Sequence, residues 1–255
     1  MKDQARKKER IAKFLARAGV ASRRNSELLI KAGRVALNGA VVVHPAILVG
    51  ADDALTIDGK AIAAPEQTTL WRYHKPAGLV TTAHDPEGRP TVFSALPKTL
   101  GRVISVGRLD INTEGLLLLT NDGELARYLE HPAQAFSRTY RIRAHGIATQ
   151  AALARLAKGV TIDGISYRSV LITVDSQRGS NCWLTMTLSE GKNREIKRLL
   201  EHIGLRVTRL IRISYGPFEL GNLEPNAVDE VPARSLPELV PDYFSLSRPR
   251  RAGSS

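Results

Sequence analysis

The sequence predicts an α+β protein of two units, a small helix-and-hairpin unit followed by a larger domain of strands interrupted by a few helices. Three observations lead there. At 255 residues, with roughly 100–200 residues per domain, the chain has room for one large or two smaller domains. Its first part carries two short helical periods and two Asn/Asp-Gly turns, and from Thr69 the apolar period shortens to that of strands. With 43% hydrophobic and 24% charged residues, the composition is that of a soluble globular protein with enough apolar material for real cores.

The chain opens on a basic, polar leader, residues 1–7. Ile11, Phe14, Leu15 and Ala18 then recur at helical spacing, and Gly19 supplies a stop. Ser22 is placed to cap a second helix that runs through Leu28 and Leu29 to a stop at Gly33. Residues 35–37 and 41–43 flank Asn38-Gly39, whose tolerance of positive φ suits a type I′ hairpin turn; residues 55–57 precede a similar Asp58-Gly59. Residues 8–63 therefore form one small unit. Residues 64–68, with Pro65 and little to pack, read as a linker. In the larger domain, residues 69–240, the strongest strand patterns cover 102–106, 116–120, 140–144, 170–174, 183–188 and 207–213. Helical patterns cover 124–129, 150–158 closed by Gly159, and 194–203 closed by Gly204. Cys182 falls in an alternating run and reads as a buried thiol. The tail, 241–255, is polar and basic, with Arg248, Arg250 and Arg251 among Ser, Pro and Gly, and is expected to be disordered.

Charge narrows the partners. Lys and Arg outnumber Asp and Glu by 37 to 25, a net charge of +12, which favours polyanions and nucleic acid first. A membrane is disfavoured because no apolar run approaches the roughly 20 residues of a spanning helix. No signal peptide is recognisable, so the expected location is the cytoplasm. Phosphate-loop, dinucleotide and serine-elbow motifs are absent from the sequence. Six scattered histidines and one cysteine offer no metal-ligand spacing. A carboxylate or a lysine is the remaining type of chemical centre.

The run from Arg10 to Val35, with Gly19, Ser22, Arg23, Arg24, Lys31, Gly33 and Arg34, followed by Asn38-Gly39, resembles the S4 RNA-binding module in order, spacing and turn residues. Arg23 and Arg24 open the second helix, where free N–H groups and the positive dipole end favour phosphate. Lys31 and Arg34 add charge near its other end. The same charges on an isolated helix would be read as solvated surface.

A second run, Val106-Gly107-Arg108-Leu109-Asp110-Ile111-Asn112-Thr113-Glu114-Gly115 and on to Gly123, resembles the catalytic segment of bacterial ribosomal-RNA pseudouridine synthases of the RsuA/RluB type. That resemblance spans roughly residues 8–220. It implies a mixed, largely antiparallel sheet with a central RNA cleft, Asp110 as catalytic aspartate, and Arg108 as a holder of the displaced nucleotide. Arg138-Thr139-Tyr140-Arg141-Ile142 is similar to the family segment whose tyrosine packs on the target base, which assigns that role to Tyr140. The segment from Glu190 to Leu200 is similar to the family helix that carries a basic partner for the aspartate. Lys197 occupies that place, with Arg198 as second candidate, because Lys keeps the charge but not the two-pronged fork of Arg.

The implied reaction detaches uracil from C1′, rotates it and rejoins it through C5, with no cofactor and no metal. The implied partner is ribosomal RNA, free or within an assembly intermediate, met by a monomer. A flipped base needs an aromatic face and cations to hold it. The competing readings are a non-catalytic RNA-binding or ribosome-assembly factor on the same scaffold, and a carboxylate-dependent RNA glycosidase.

Overall fold

The computed structural model describes residues 8–50 and 52–247; the leader at 1–7 and Arg248, Arg250 and Arg251 lie outside the described residues. The chain divides into two compact units, one running up to Thr68 and including Gly101–Val103 and Asn121–Gly123, the other built from the remainder.

In the first unit β1 (Glu9–Arg10) leads into α1 (Ile11–Arg17), which buries Ile11, Ala12, Phe14 and Leu15. Gly19, at φ +78°, ends that turn in a backbone region that costs glycine little. In α2 (Arg23–Lys31) the Ser22 hydroxyl accepts the Asn25 N–H at 3.1 Å, satisfying one of the free donors at the helix start. A four-stranded sheet follows, in the order β3-β2-β5-β6, made of β2 (Val35–Leu37), β3 (Ala40–Val42), β5 (Leu55–Ile57) and β6 (Lys60–Ala61). Its two hairpin turns have positive φ at Asn38, Gly39, Asp58 and Gly59, as the dipeptides require. Between them β4 (Leu48–Val49) pairs antiparallel with β1. Ile30, Val35, Val42 and Leu55 close the core over α1.

The second unit begins with β7 (Leu70–Lys75), α3 (Val92–Ala95), β8 (Ile104–Val106), β9 (Thr113–Thr120) and α4 (Gly123–Glu130). It continues through β10 (Arg138–His145), α5 (Gln150–Ala157) and the hairpin of β11 (Val160–Ile162) with β12 (Ile165–Tyr167). After β13 (Leu171–Arg178) and β14 (Asn181–Leu188) come α6 (Glu195–His202), β15 (Arg206–Tyr215), β16 (Phe218–Glu219) and β17 (Val228–Glu230). Two short helices, α7 (Leu236–Leu239) and α8 (Pro241–Ser247), follow. The main sheet runs β13-β14-β10-β15-β9-β7-β17, with β8 on β9 and β16 on β15. Every pairing in it is antiparallel except β15 with β9, where residues 210–212 run parallel to residues 113–115. The sheet is therefore mixed and largely antiparallel. Leu70, Val106, Leu116, Leu118, Leu125, Leu129, Tyr215 and Phe218 form its core on one side. Cys182 is a buried thiol on β14, and burial pushes its pKa up.

The structure corrects three expectations and adds two strands, β7 and β17, that the pattern did not reveal. The strand expected at 102–106 begins only at Ile104. The helix expected at 194–203 begins at Glu195, because Lys192 and Glu195 bind each other reciprocally: the Glu195 carboxylate accepts the Lys192 N–H at 2.8 Å, and the Lys192 carbonyl accepts the Glu195 N–H at 3.2 Å. The resulting turn leaves Arg194 at φ +51° outside the helix. Strands β7 and β17 carry too many polar residues for a clear alternation; within β7, Tyr73 and Lys75 are buried with their polar tips satisfied. The tail expected to be disordered from 241 starts instead with α8. Pro241 presets the backbone at the first helical position, and Tyr243 and Phe244 pack on the core, the Tyr243 ring 5.4 Å from that of Tyr128.

Candidate active site

The loop between β8 and β9, residues 107–112, is held by its backbone. Gly107 turns the chain at φ +67°, and its N–H donates to the Glu130 carboxylate at 2.6 Å. The buried Thr81 hydroxyl donates to the Leu109 carbonyl at 3.0 Å and accepts the Leu109 N–H at 3.3 Å. Gly78 N–H donates to the Ile111 carbonyl, and Thr113 N–H to the Asp110 carbonyl. Below them lies Lys75, fully buried, whose ammonium donates to the carbonyls of Pro76, Asp110, Ile111 and Thr113 at 2.9–3.2 Å. Burial pushes the Lys75 pKa down to about 8, against the opposing pull of Asp110 and Glu114. With its main chain fixed on both sides, the loop presents the Asp110 side chain, which is 45% exposed, to a cleft of about 620 Å³.

Lys197, on α6, completes the pair: its Nζ stands 3.4 Å from Asp110 Oδ2 and is less exposed than the carboxylate. Arg198 faces outward and does not line the cleft. Tyr140, buried on β10, and Arg108, exposed on the loop, both line it, so the four residues singled out in this domain converge on one cavity.

Residues that the sequence reading passed over shape the same cavity. Lys75 and Thr81 anchor the loop, and Arg212 lies in the cleft wall. Glu195 is buried at the start of α6, and burial together with neighbouring Glu190 raises its pKa to about 7. Burial works to raise the pKa of Glu190 as well, but the Lys192 ammonium at 2.7 Å and the Arg168 N–H at 2.8 Å outweigh it and hold that carboxylate low. A signal for Lys75 was present: a lysine directly before Pro76 at an inward position of an aromatic strand has to find buried acceptors.

In the first unit Arg23, Arg24, Lys31 and Arg34 are all exposed. Arg23 stands 3.8 Å from Glu27, while Arg34 grips the Asp58 carboxylate with two nitrogens and lowers its pKa. Its charge is thus spent within the fold. Among the described residues no group of three or more His, Cys, Asp or Glu could hold a metal ion, and no helix is long and apolar enough to cross a membrane.

The second unit is thus a mixed sheet with a cleft in which the exposed Asp110 carboxylate, its Lys197 partner and Tyr140 meet, and the first is a separate basic unit. Residues 69–202 match the family described as RNA pseudouridylate synthase and residues 9–55 match the S4 domain. The chain belongs to the RNA pseudouridylate synthase family. It is 45% identical over 227 residues to an uncharacterized RNA pseudouridine synthase of Rickettsia prowazekii, covering 89% of this chain and 96% of that one. It is 44% identical over 250 residues to the ribosomal large subunit pseudouridine synthase B of Escherichia coli (strain K12), covering 93% of this chain and 86% of the relative. A crystal structure of a pseudouridylate synthase superposes with a TM-score of 0.62 at 25% identity, over 91% of this chain and 99% of the other. The chain is accordingly a pseudouridine synthase, which sets aside the non-catalytic and glycosidase readings.

Proposed function

We propose that this chain converts uridine to pseudouridine in ribosomal RNA, with Asp110 as the catalytic carboxylate, residues 8–63 gripping the RNA and residues 69–240 carrying out the reaction. The observation that carries the reading is the Asp110–Lys197 pair, set on a loop pinned by Lys75 and Thr81. The similarity to a large-subunit rRNA enzyme supports ribosomal RNA as the substrate. We further propose that it acts as a monomer, since one chain carries both the basic unit and the cleft, and in the cytoplasm, as its similarity to a bacterial large-subunit rRNA enzyme supports.

The C1′–N1 bond breaks with its electron pair going to uracil. The base rotates, C5 bonds to C1′, the C5 proton leaves and N1 gains one, so no redox partner enters. A single carboxylate supports this by attacking C1′, by adding to C6, or by acting as a base toward the sugar. Lys197 keeps the carboxylate aimed, Tyr140 offers a face to the flipped base, and Arg108 holds the displaced nucleotide.

Mapping pseudouridines in rRNA from cells with and without the protein tests the assignment. One or more sites vanish on deletion, return with the wild-type chain, and do not return with Asp110→Asn, which is nearly isosteric and keeps RNA affinity. An unchanged map, or full restoration by Asp110→Asn, overturns it.

A further inference from the structure

Arg212 is the most conspicuous unsatisfied cation in the described structure. It sits on β15, directly across from Tyr140 on one side and Gly115 on the other, and is 2% exposed while lining the cleft that holds Asp110. Its Nε donates to the Leu116 carbonyl at 2.7 Å. Among the described residues its terminal nitrogens make no hydrogen bond and no ion pair, and Nη2 is sealed from solvent. Its Cζ lies over the Tyr215 ring at 5.1 Å, and that ring also receives Arg138 at 4.8 Å. Tyr215 is itself fixed, its hydroxyl donating to the Leu129 carbonyl at 2.9 Å.

A guanidinium has five N–H donors, and the fold uses one of them. A buried cation without an anion or a full set of acceptors is costly, so proteins seldom keep one unless a partner arrives. The missing partner has to reach the cleft wall beside Tyr140. Phosphates meet exposed cations first, here Arg108, Lys192 and Arg194 around the same cavity. On the reading that Tyr140 packs on the flipped base, the group that reaches this wall is the base.

We propose that the Arg212 guanidinium contacts the target uracil, donating to one of its carbonyl oxygens, O2 or O4, and stabilising the negative charge that the ring takes up when the C1′–N1 bonding pair moves onto it. That pair is shared by N1, O2 and O4, so a donor at either oxygen gains strength as the bond breaks. Charge-assisted hydrogen bonds of this kind act most strongly in a dry site. The inference rests on uridine in ribosomal RNA being the substrate.

The test uses the full chain and its mapped rRNA target, made with uridine, 2-thiouridine or 4-thiouridine at the reacting position, since sulfur is a poor acceptor. Single-turnover isomerisation is followed by loss of tritium from C5. Wild type slows about tenfold or more on one of the two thio-RNAs. Arg212→Gln slows by a similar factor on uridine and no further on that thio-RNA, while its affinity for the RNA is unchanged. Wild type converting both thio-RNAs at the uridine rate overturns the proposal, as does a variant in which the two losses multiply. Should Arg212→Gln fail to fold, Arg212→Lys takes its place and the wild-type arm still decides. A wild-type chain that converts no rRNA uridine contradicts the substrate reading instead, a result the unmodified RNA isolates.

Discussion

Lys75 holds Asp110 by its backbone: Lys75 Nζ lies 3.2 Å from the Asp110 carbonyl oxygen, while the Asp110 carboxylate pairs with Lys197. One lysine thus fixes where the aspartate is, and the other fixes where it points.

Lys75→Met removes a donor shared by four carbonyls; those of Asp110 and Ile111 keep a backbone N–H, so the loss falls chiefly on Pro76 and Thr113, at roughly 1–3 kcal/mol for each that water does not reach, partly offset by removing a buried charge. The variant should melt lower and turn over about 100-fold more slowly, the scale of a small misplacement of a reacting group. A folded variant within twofold of wild type would sink this role. The wild-type pH profile gives a second reading. Because the folded pKa is lowered to about 8, the unfolded chain holds a proton that the folded chain has shed between pH 8 and the ordinary lysine range, so this group makes stability rise with pH there. Turnover moves the other way, falling as the ammonium becomes an amine with one donor fewer. A rate that stays flat well past pH 8 counts against it.

Lys197→Met keeps an unbranched stem and removes the charge beside Asp110. Single-turnover rates should fall roughly 100-fold at neutral pH, while Lys197→Arg retains much more. Arg198→Met, one position along and outside the cleft, should behave like wild type. If Arg198→Met alone abolishes the reaction, the partner has been misassigned.

Glu195→Gln removes a carboxylate that folding prefers protonated. Its folded pKa is raised to about 7, so between the ordinary carboxylate range and pH 7 the folded state binds the extra proton, and wild-type stability declines as pH rises through that window. Glutamine keeps an acceptor for the Lys192 N–H and offers Glu190 a donor. At pH 8 the variant should be more stable by on the order of 1–3 kcal/mol, with the gain gone below about pH 4.5. Denaturant melts at both pH values check this, and equal stability at pH 8 refutes it.

In the basic unit, replacing Arg23, Arg24 and Lys31 together by Gln should flatten the plot of log affinity against log salt by about 0.7–0.9 per lost phosphate contact. Arg34→Gln should change that slope little, because Asp58 already neutralises it, and should loosen the second hairpin turn instead. Equal slopes for the triple variant and wild type remove these residues from the RNA contact.

Local chemistry made the first unit readable: Ser22, Gly19, Asn38-Gly39 and Asp58-Gly59 each impose a backbone state on their own neighbours. Asp110, Tyr140 and Lys197 were legible through family resemblance, and the cleft unites them. What escaped depends on distant partners. Strand β7 hides behind Lys75, three of whose four acceptors lie 35 to 38 residues away; α8 depends on aromatic contacts with α4; and Arg34 looked available until Asp58 was placed beside it. Pattern reading sees neighbours in sequence, and these are neighbours in space alone.

The parallel joint between β9 and β15 bears on how the enzyme is made. Asp110 and Lys197 are 87 residues apart, and at the joint Gly115 packs so closely that a Cβ would fall 2.2 Å from the Arg212 carbonyl oxygen. Non-local pairings of this kind form late, because the chain between them must first be ordered. As the chain leaves the ribosome, the aspartate emerges long before its lysine, and the wall bearing Tyr140 has no β15 to lean on. A truncated chain that stops short of β15 therefore carries Asp110 and Lys197 without the strand that joins β9 to β10, and is expected to be inactive.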